Sequence, residues 1–413
     1  MESYLFDRSQ DTGSAEFQSG QALIKTLKHR FQTYGFRQVR TSTFEQYDLY
    51  DLVSGTVKRE NMIKAIDQSG KVMVMRPDVT IPITRMMASS TTREARLFYV
   101  SHIFRQYPEA SELEERLQAG VERFGSDRPE TDAEVITLAA HGLQDLGFER
   151  FKIEMGHAGF FKAVMRQLDL APAEREQLQM LVQSKNLADI KRFLADVNVP
   201  DDLAAILQTI PLLYGDPEDV LKRAEELALT PDMKAELADL HALNKLLQAY
   251  DAADAVVFDL GLINNMDYYS GVIFQGVVAD YGKPVVMGGR YDRLADQFGA
   301  VLPAIGFAYE TSYLADALRQ ENRLVSTAPS VDITLFYEPQ EQINALRTAN
   351  DLREAGYAVV TYPRGDSGHT AEDSSCTACF SPDGNWFDDQ QTEQAFTDGQ
   401  ELQSLLHEAI GGA

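Results

Sequence analysis

From about residue 159 to 250 the chain is helix after helix, and strand-rich sequence flanks that block on both sides. The interruption constrains the fold strongly, because a sheet begun before the block must be completed by strands far along the chain. Its helical signals are local. In GDPEDVLKRAEELAL, Asp216 is placed to cap, Pro217 takes the first helical position, and Glu218 and Asp219 favour the positive end of the dipole. TPDMKAELADLHALNKLLQAY repeats the device with Thr230 and Pro231, and sets Met233, Leu237, Leu240, Leu243 and Leu247 on one face. The block is expected to pack on a small core of its own.

Ahead of it, Leu23, Ile24, Leu27, Phe31 and Tyr34 recur at helical spacing, and FRQVRTSTF, KVMVMR, LFYVSHIFR and RLQAGVERFG read as strands. TDAEVITLAAHGLQDLG predicts a helix capped by Thr131 and stopped by Gly147, and FKIEMG returns to strand. After the block, AVVFDLGL, DYYSGVIFQGVVADYG and PVVMGG resume the strands, while AIGFAYETSYLADALRQ predicts a closing helix. ENRLVSTAPS reads as a linker. VDITLFYE, EQINALRTANDLREAG and YAVVTYP then spell strand, helix, strand, and SSCTACFSPDGNWF reads as a hairpin turned at Pro-Asp-Gly. The class is α+β: an antiparallel sheet with helices over residues 1–325, including the 159–250 insertion, and a small α/β domain over 331–413.

Charge narrows the function classes. The formal net charge is −25, which lowers the expectation of a basic stripe gripping nucleic acid. No run of 18 apolar residues could span a bilayer, and MESYLFDRSQDTG has neither the basic start nor the apolar block of a secretory signal. A cytoplasmic protein is expected, and two cysteines do not make a disulfide framework.

Four segments converge on one pocket. MRPDVT sets Asp78 and Thr80 two residues apart, on one side of the chain if it is extended. On the strand RLQAGVERFG, Gln118, Gly120 and Glu122 share one face, while Leu117, Ala119 and Val121 form the core face. MDYYSGVIF supplies tyrosine walls, and GGRYDRLADQFG followed by AIGFAYE supplies adjacent glycines for a close backbone approach. Singly, GGR reads equally well as a turn, and paired tyrosines as core and rim.

In this order the segments resemble the catalytic core of class II aminoacyl-tRNA synthetases of the histidine-tRNA ligase type. The likeness covers about residues 17–325 and the small domain from about 331. It implies an antiparallel sheet flanked by helices, with a helical insertion and a trailing domain resembling an anticodon-binding domain. It also implies a histidine-like ligand pocket of Asp78, Thr80, Arg105, Gln118, Glu122, Tyr268 and Tyr269. The departures gather at the nucleotide end. INNMDYY has Asn264 and Asn265 where the resemblance implies an arginine, and Tyr313 stands where another is implied on the helix after GFA. FRQYPEASELEER keeps Arg105, has Gln106-Tyr107 in place of an acid, and carries four glutamates in a loop that is usually basic; Ser42 replaces a proline. Like charges roughly 4 Å apart repel by about 1 kcal/mol even in water, so such a loop opposes a triphosphate. The expectation is an amino-acid pocket kept and a reaction lost, with no catalytic residue, cofactor or metal. From Val331 to Ala413 there are fifteen acidic residues against three arginines and no lysine, so no tRNA is expected there.

IEMGHAGFF, with Gly156, His157, Gly159 and Phe160, resembles a signature of the regulatory subunits of short-form ATP phosphoribosyltransferases, which act in the first step of histidine biosynthesis. That resemblance implies a noncatalytic subunit in a hetero-oligomer, expected as a hetero-octamer, that activates the catalytic partner and mediates histidine feedback. It also implies self-association through the synthetase-like core. Shorter members lack the trailing domain. The alternatives are a divergent histidine-tRNA ligase and an amino-acid-sensing module for another partner. Several residues carry two readings. CTAC is half a zinc site, with His369 as the one helper, but Cys376 and Cys379 on a strand face opposite ways, and no metal is expected. His157 reads as a base or a structural residue, with no nucleophile pattern beside it. Arg290 reads as a ligand contact or as the partner of Asp292 or Asp296, and His102 as an ordinary strand residue.

Overall fold

The computed structural model describes residues 13–52, 57–107, 112–227, 230–250, 252–263, 269–321, 323, 331–365 and 374–411. Two compact units emerge, one spanning Gly20–Leu324 and the other Met1–Ser19 with Val325–Ala413. In the first, β1 (Arg37–Gln38), β2 (Phe44–Gln46), β3 (Lys64–Ile66), β4 (Val72–Met75), β5 (Ala95–Tyr107), β6 (Glu112–Phe124) and β7 (Phe151–His157) precede the helical block. The short β8 (Tyr214–Gly215) lies within the block, and β9 (Val256–Asp259), β10 (Val272–Val278), β11 (Val286–Arg290) and β12 (Ala304–Glu310) follow it. Nine of these form one sheet in the order β1-β5-β6-β12-β11-β10-β7-β9-β8, and β2-β4-β3 form a small second sheet. In the large sheet β1–β5 and β7–β9 are parallel, and the other pairs are antiparallel.

The sequence reading of AIGFAYE as helix is corrected here: Ala304–Glu310 is strand, and the helix is confined to Thr311–Gln320. The reason is two-sided pairing, since β12 bonds to β6 on one edge and β11 on the other. Its residues alternate, with Ile305, Phe307 and Tyr309 in the apolar cluster that includes Ala119 and Val121 of β6. The opposite face of the sheet carries a second cluster, with Tyr99, Phe124, Tyr269 and Tyr291 among its members.

A separate core for the helical block is also overturned. Phe160, Leu178, Leu207, Val220, Leu240 and Leu247 belong to the same continuous cluster as Phe31, Val121 and Ile305. The long helix Pro231–Ala249 packs on the helices Pro129–Asp145 and Ala158–Met165, so the block covers one face of the sheet. Its caps are as read: Asp216 accepts from the backbone N–H of Glu218 and Asp219, and Thr230 from Met233. Thr131 is not a cap, because the helix starts at Pro129 and the Thr131 hydroxyl pairs with Ser126 at 2.7 Å. Gly147, at φ +85°, does end it. His157 is the N-cap of Ala158–Met165, its Nδ1 accepting from Phe160 N–H at 3.3 Å. Burial holds its pKa down, to about 4, so the imidazole is neutral and free to accept.

Arg290 is committed to structure. Asp132 accepts from its Nε at 2.9 Å and Nη2 at 2.5 Å, and Nη1 donates to Asp292 at 2.8 Å and to the Ser126 carbonyl at 3.0 Å. Asp296 faces Arg293 instead. Burial raises Asp132 to about 6 even against the Arg290 charge.

In the second unit β13 (Val331–Tyr337), β14 (Val359–Pro363), β15 (Ser374–Phe380), β16 (Asn385–Asp388) and β17 (Glu393–Phe396) form a sheet in the order β14-β13-β15-β16-β17. The helices Gln342–Glu354 and Gly399–Gly411 complete its core through Ala345, Ala349, Leu352, Leu402 and Leu406. β17 and the last helix go beyond the strand, helix, strand and hairpin that the sequence suggested. Cys376 and Cys379 are free and buried on β15; Cys376 packs in the core with Ala378 and Phe380, and burial raises its thiol to about 11. His369 lies outside the described residues.

Replacing Arg290 with Met strands Asp132 without its counter-charge. The expected result is a loss of about 3–5 kcal/mol from the large unit, read as a lower urea midpoint.

Candidate functional site

On the face of the sheet away from the helical block, register sets three rows. Ser101, Gln118 and Glu310 lie across β5, β6 and β12 in one; Tyr99, Gly120 and Ala308 in the next; Leu97, Glu122 and Gly306 in the third, which continues to Gly289 of β11. Small residues make the floor. A Cβ on Gly306 would run into the Glu122 carboxylate and the Val121 carbonyl, and one on Gly289 would lie 2.8 Å from the Tyr269 ring.

Glu122 is the centre, only 1% exposed. Thr80 Oγ1 donates to its Oε1 at 2.6 Å, and the Tyr291 hydroxyl donates to Oε2. Burial raises its pKa to about 8; the two hydroxyl donors pull the other way, and the nearby Asp78 charge adds to the rise. Asp78 is also buried, and desolvation raises it despite an N–H bond from Ile81 at 2.8 Å and the charge of Arg105. The extended geometry assumed for Asp78 and Thr80 is corrected: the chain turns at Pro77 and enters the helix Thr80–Ala88, with the Asp78 carboxylate accepting from its first turn. Thr80 reaches Glu122 from the helix start.

The remaining sequence-named residues divide. Gln118 donates to Glu310 Oε1 at 2.7 Å, and Arg105 donates from Nε to the Pro77 carbonyl at 2.9 Å, which ties β5 to the turn carrying Asp78. Tyr269 is buried against Gly289, and its carbonyl accepts from Lys162 Nζ at 2.6 Å. Tyr268, Asn264, Asn265 and residues 108–111 lie outside the described residues. At the end where Tyr313 stands, the Arg116 guanidinium lies 5.3 Å and the Lys283 ammonium 5.0 Å from its ring centre, so cations are present there from positions the motif comparison did not consider.

Sequence reasoning gave no role to Tyr99, Tyr291, Glu310 or Arg76. Arg76 donates to the carbonyls of Thr41, Ser42 and His102 and so pins the β4 end beside the pocket. Tyr99 is 2% exposed, and its phenol is raised well above the usual range by burial and by the carboxylates of Glu122, Asp78 and Glu310. Only the Tyr of GGRYD carried a signal in sequence; Tyr99 needs the strand register. The arrangement gives three carboxyl groups around one phenol, suited to a small ligand that brings its own positive charge.

Fold and pocket define a protein of the histidyl-tRNA synthetase class. The family model for histidyl-tRNA synthetase matches residues 9–314. The histidyl-tRNA synthetase structure from Nostoc has a TM-score of 0.79 over 98% of this chain and 100% of that one, at 15% identity, a likeness of fold. A Bacillus halodurans structure described as an ATP phosphoribosyltransferase regulatory subunit/histidyl-tRNA synthetase also has a TM-score of 0.79, at 26% identity over 91% of this chain and 97% of that one. The ATP phosphoribosyltransferase regulatory subunit of Oceanobacillus iheyensis is 42% identical over 343 residues, 83% of this chain and 84% of the relative. That of Acetivibrio thermocellus is 33% identical over 350 residues, 84% and 83%. The chain belongs to the family of ATP phosphoribosyltransferase regulatory subunits.

Two outcomes are expected of the site. The native state keeps the Glu122 proton up to about pH 8, whereas the ordinary value is 4.5. The stability this group contributes is therefore full below about pH 4.5 and is lost as pH rises through about 8. Glu122→Gln should flatten the fall in melting temperature over that window. Gly306→Ala should lower stability by about 1–3 kcal/mol through overpacking against Glu122, read in the same melts.

Proposed function

We propose that this chain is the noncatalytic regulatory subunit of a short-form ATP phosphoribosyltransferase. In this reading it joins the catalytic subunit in a hetero-oligomer, expected as a hetero-octamer with self-association through the synthetase-like core, and raises its activity in the first step of histidine biosynthesis. Histidine is its effector and binds the pocket around Glu122, with Asp78, Thr80, Arg105, Gln118, Tyr268 and Tyr269. The observation that carries the reading is the buried Glu122 carboxyl held by the Thr80 and Tyr291 hydroxyls, together with a sequence that has Asn264, Asn265 and Tyr313 where the resemblance to a ligase implies arginines. Relatives named as regulatory subunits, at 42% and 33% identity, support it. The acidic trailing segment argues against a bound tRNA. Feedback follows if histidine binds one arrangement of the assembly better than another. Among the described residues no helix is long and apolar enough to cross a membrane, and a cytoplasmic location belongs to the proposal.

The divergent histidine-tRNA ligase keeps one point in its favour, the positive charge of Arg116 and Lys283 beside Tyr313. One pair of assays separates the two. Adding the chain to a short-form catalytic subunit should raise phosphoribosyl transfer, and added histidine should lower it. The isolated chain should show no ATP–pyrophosphate exchange; exchange that depends on histidine would falsify the regulatory reading. A ligand that brings positive charge to Glu122 favours its ionised form, so Glu122→Gln should weaken histidine binding about 10-fold or more, measured by calorimetry.

A further inference from the structure

β5 and β6 set two arginines against each other. Arg96 pairs with Arg123 in the strand register, and both side chains lie on the face of the sheet opposite the Glu122 pocket. Like charges directly opposite on neighbouring strands are destabilising. In a chain with 38 Lys and Arg against 63 Asp and Glu, such a pair is not the by-product of a basic surface. The two line a cavity of about 440 Å³ at the end of the sheet where β1 and β5 begin and β6 ends. Arg37 joins them in its wall, with Ser90, Thr92 and Glu94 from the segment after the helix Thr80–Ala88.

The guanidinium groups are unequally answered. Both Glu134 oxygens accept from Arg96 Nη2 at 2.8 Å. Arg123 is only 6% exposed and has no carboxylate at hydrogen-bond distance among the described residues. Its Nη1 donates to the Phe124 carbonyl, its Nε has no partner, and the carboxylate beside Nη2 is that of Glu94, 3.8 Å away on an exposed side chain. Burial and the Arg96 charge both lower the Arg123 pKa. A buried charge is normally paired, yet what lies before Arg123 is a cavity with an exposed rim at Arg37, Thr92 and Glu94. Three arginines face one glutamate in that wall. Planar guanidinium forks with hydroxyls beside them suit an oxyanion, and the volume is that of a small-molecule site.

We propose that this cavity is an anion site that takes a phosphate or diphosphate group, with Arg123 and Arg96 in its floor and Arg37 at its rim. It lies behind Glu122, across β6, and does not depend on what the Glu122 pocket binds.

The test titrates inorganic pyrophosphate and ATP separately into the full-length chain by calorimetry, and follows melting with each against sodium chloride at equal ionic strength. Pyrophosphate should raise the melting temperature beyond the effect of chloride. Arg123→Met removes the charge and keeps most of the length. Without anion it should melt at or above the parent, because the repulsion from Arg96 is gone, whereas a purely structural arginine would leave it less stable. Its affinity for pyrophosphate should fall about 10- to 100-fold, the range of a hydrogen bond to a charged group. Arg37→Gln, at an exposed position, should weaken pyrophosphate binding without lowering the melting temperature, and it carries the test if Arg123→Met fails to fold. Equal affinities for pyrophosphate and ATP, lost together in the variants, assign the site to the phosphate chain alone; tighter ATP, lost in the same variants, assigns it to a nucleotide's phosphates. Melting that follows ionic strength whatever the anion overturns the site. So does a parent chain that binds neither compound, or an affinity that the folded variants leave unchanged.

Discussion

The pairing of β12 between β6 and β11 is the contact on which the rest of the molecule depends, because it joins the part of the chain before the helical block to the part after it. Gln118 and Glu310 are 192 residues apart in sequence and neighbours across this pairing. Closing so long a loop costs entropy that grows only slowly with length. It is offset by seven register pairs and by Ile305, Phe307 and Tyr309, which are buried against the core that the helical block completes. The same register puts Gly306 under Glu122, so the stability of the sheet and the shape of the pocket rest on one set of bonds.

The large unit buries acid in two different ways. Asp132 is given a cation: Arg290 chelates it and is itself tied to Asp292 and Ser126. That group is complete. Among the described residues, Glu122 is held instead by two hydroxyls, those of Thr80 and Tyr291. A buried carboxyl without a counter-charge holds its proton, which is why Glu122 stays protonated to about pH 8.

Much of the site was legible because strand alternation is a local rule. Gln118, Gly120 and Glu122 fall on one face by period alone, and their register opposite β12 follows it. The misses have physical causes. AIGFAYE runs into a helix in sequence, and only bonding to two neighbouring strands makes it a strand. Asp78 and Thr80 share a side of an extended chain, but here the Asp78 carboxylate accepts from the helix that begins two residues later. Arg290 offered Asp292 and Asp296 as neighbours in sequence, while its main partner, Asp132, comes from a helix 158 residues away.

What the sequence determined by itself was the local grammar: capped helices in the middle block, a strand with polar and apolar faces, an acidic trailing segment, and motifs in the order of a histidine-tRNA ligase core. Only the tertiary structure decided that Arg290 pairs with Asp132, that the helical block shares its core with the sheet, and that Tyr99 and the Tyr291 hydroxyl lie close to Glu122. The reason is that caps and alternation depend on residues a few positions apart, whereas burial and charge pairing depend on strands and helices brought together from opposite ends of the fold.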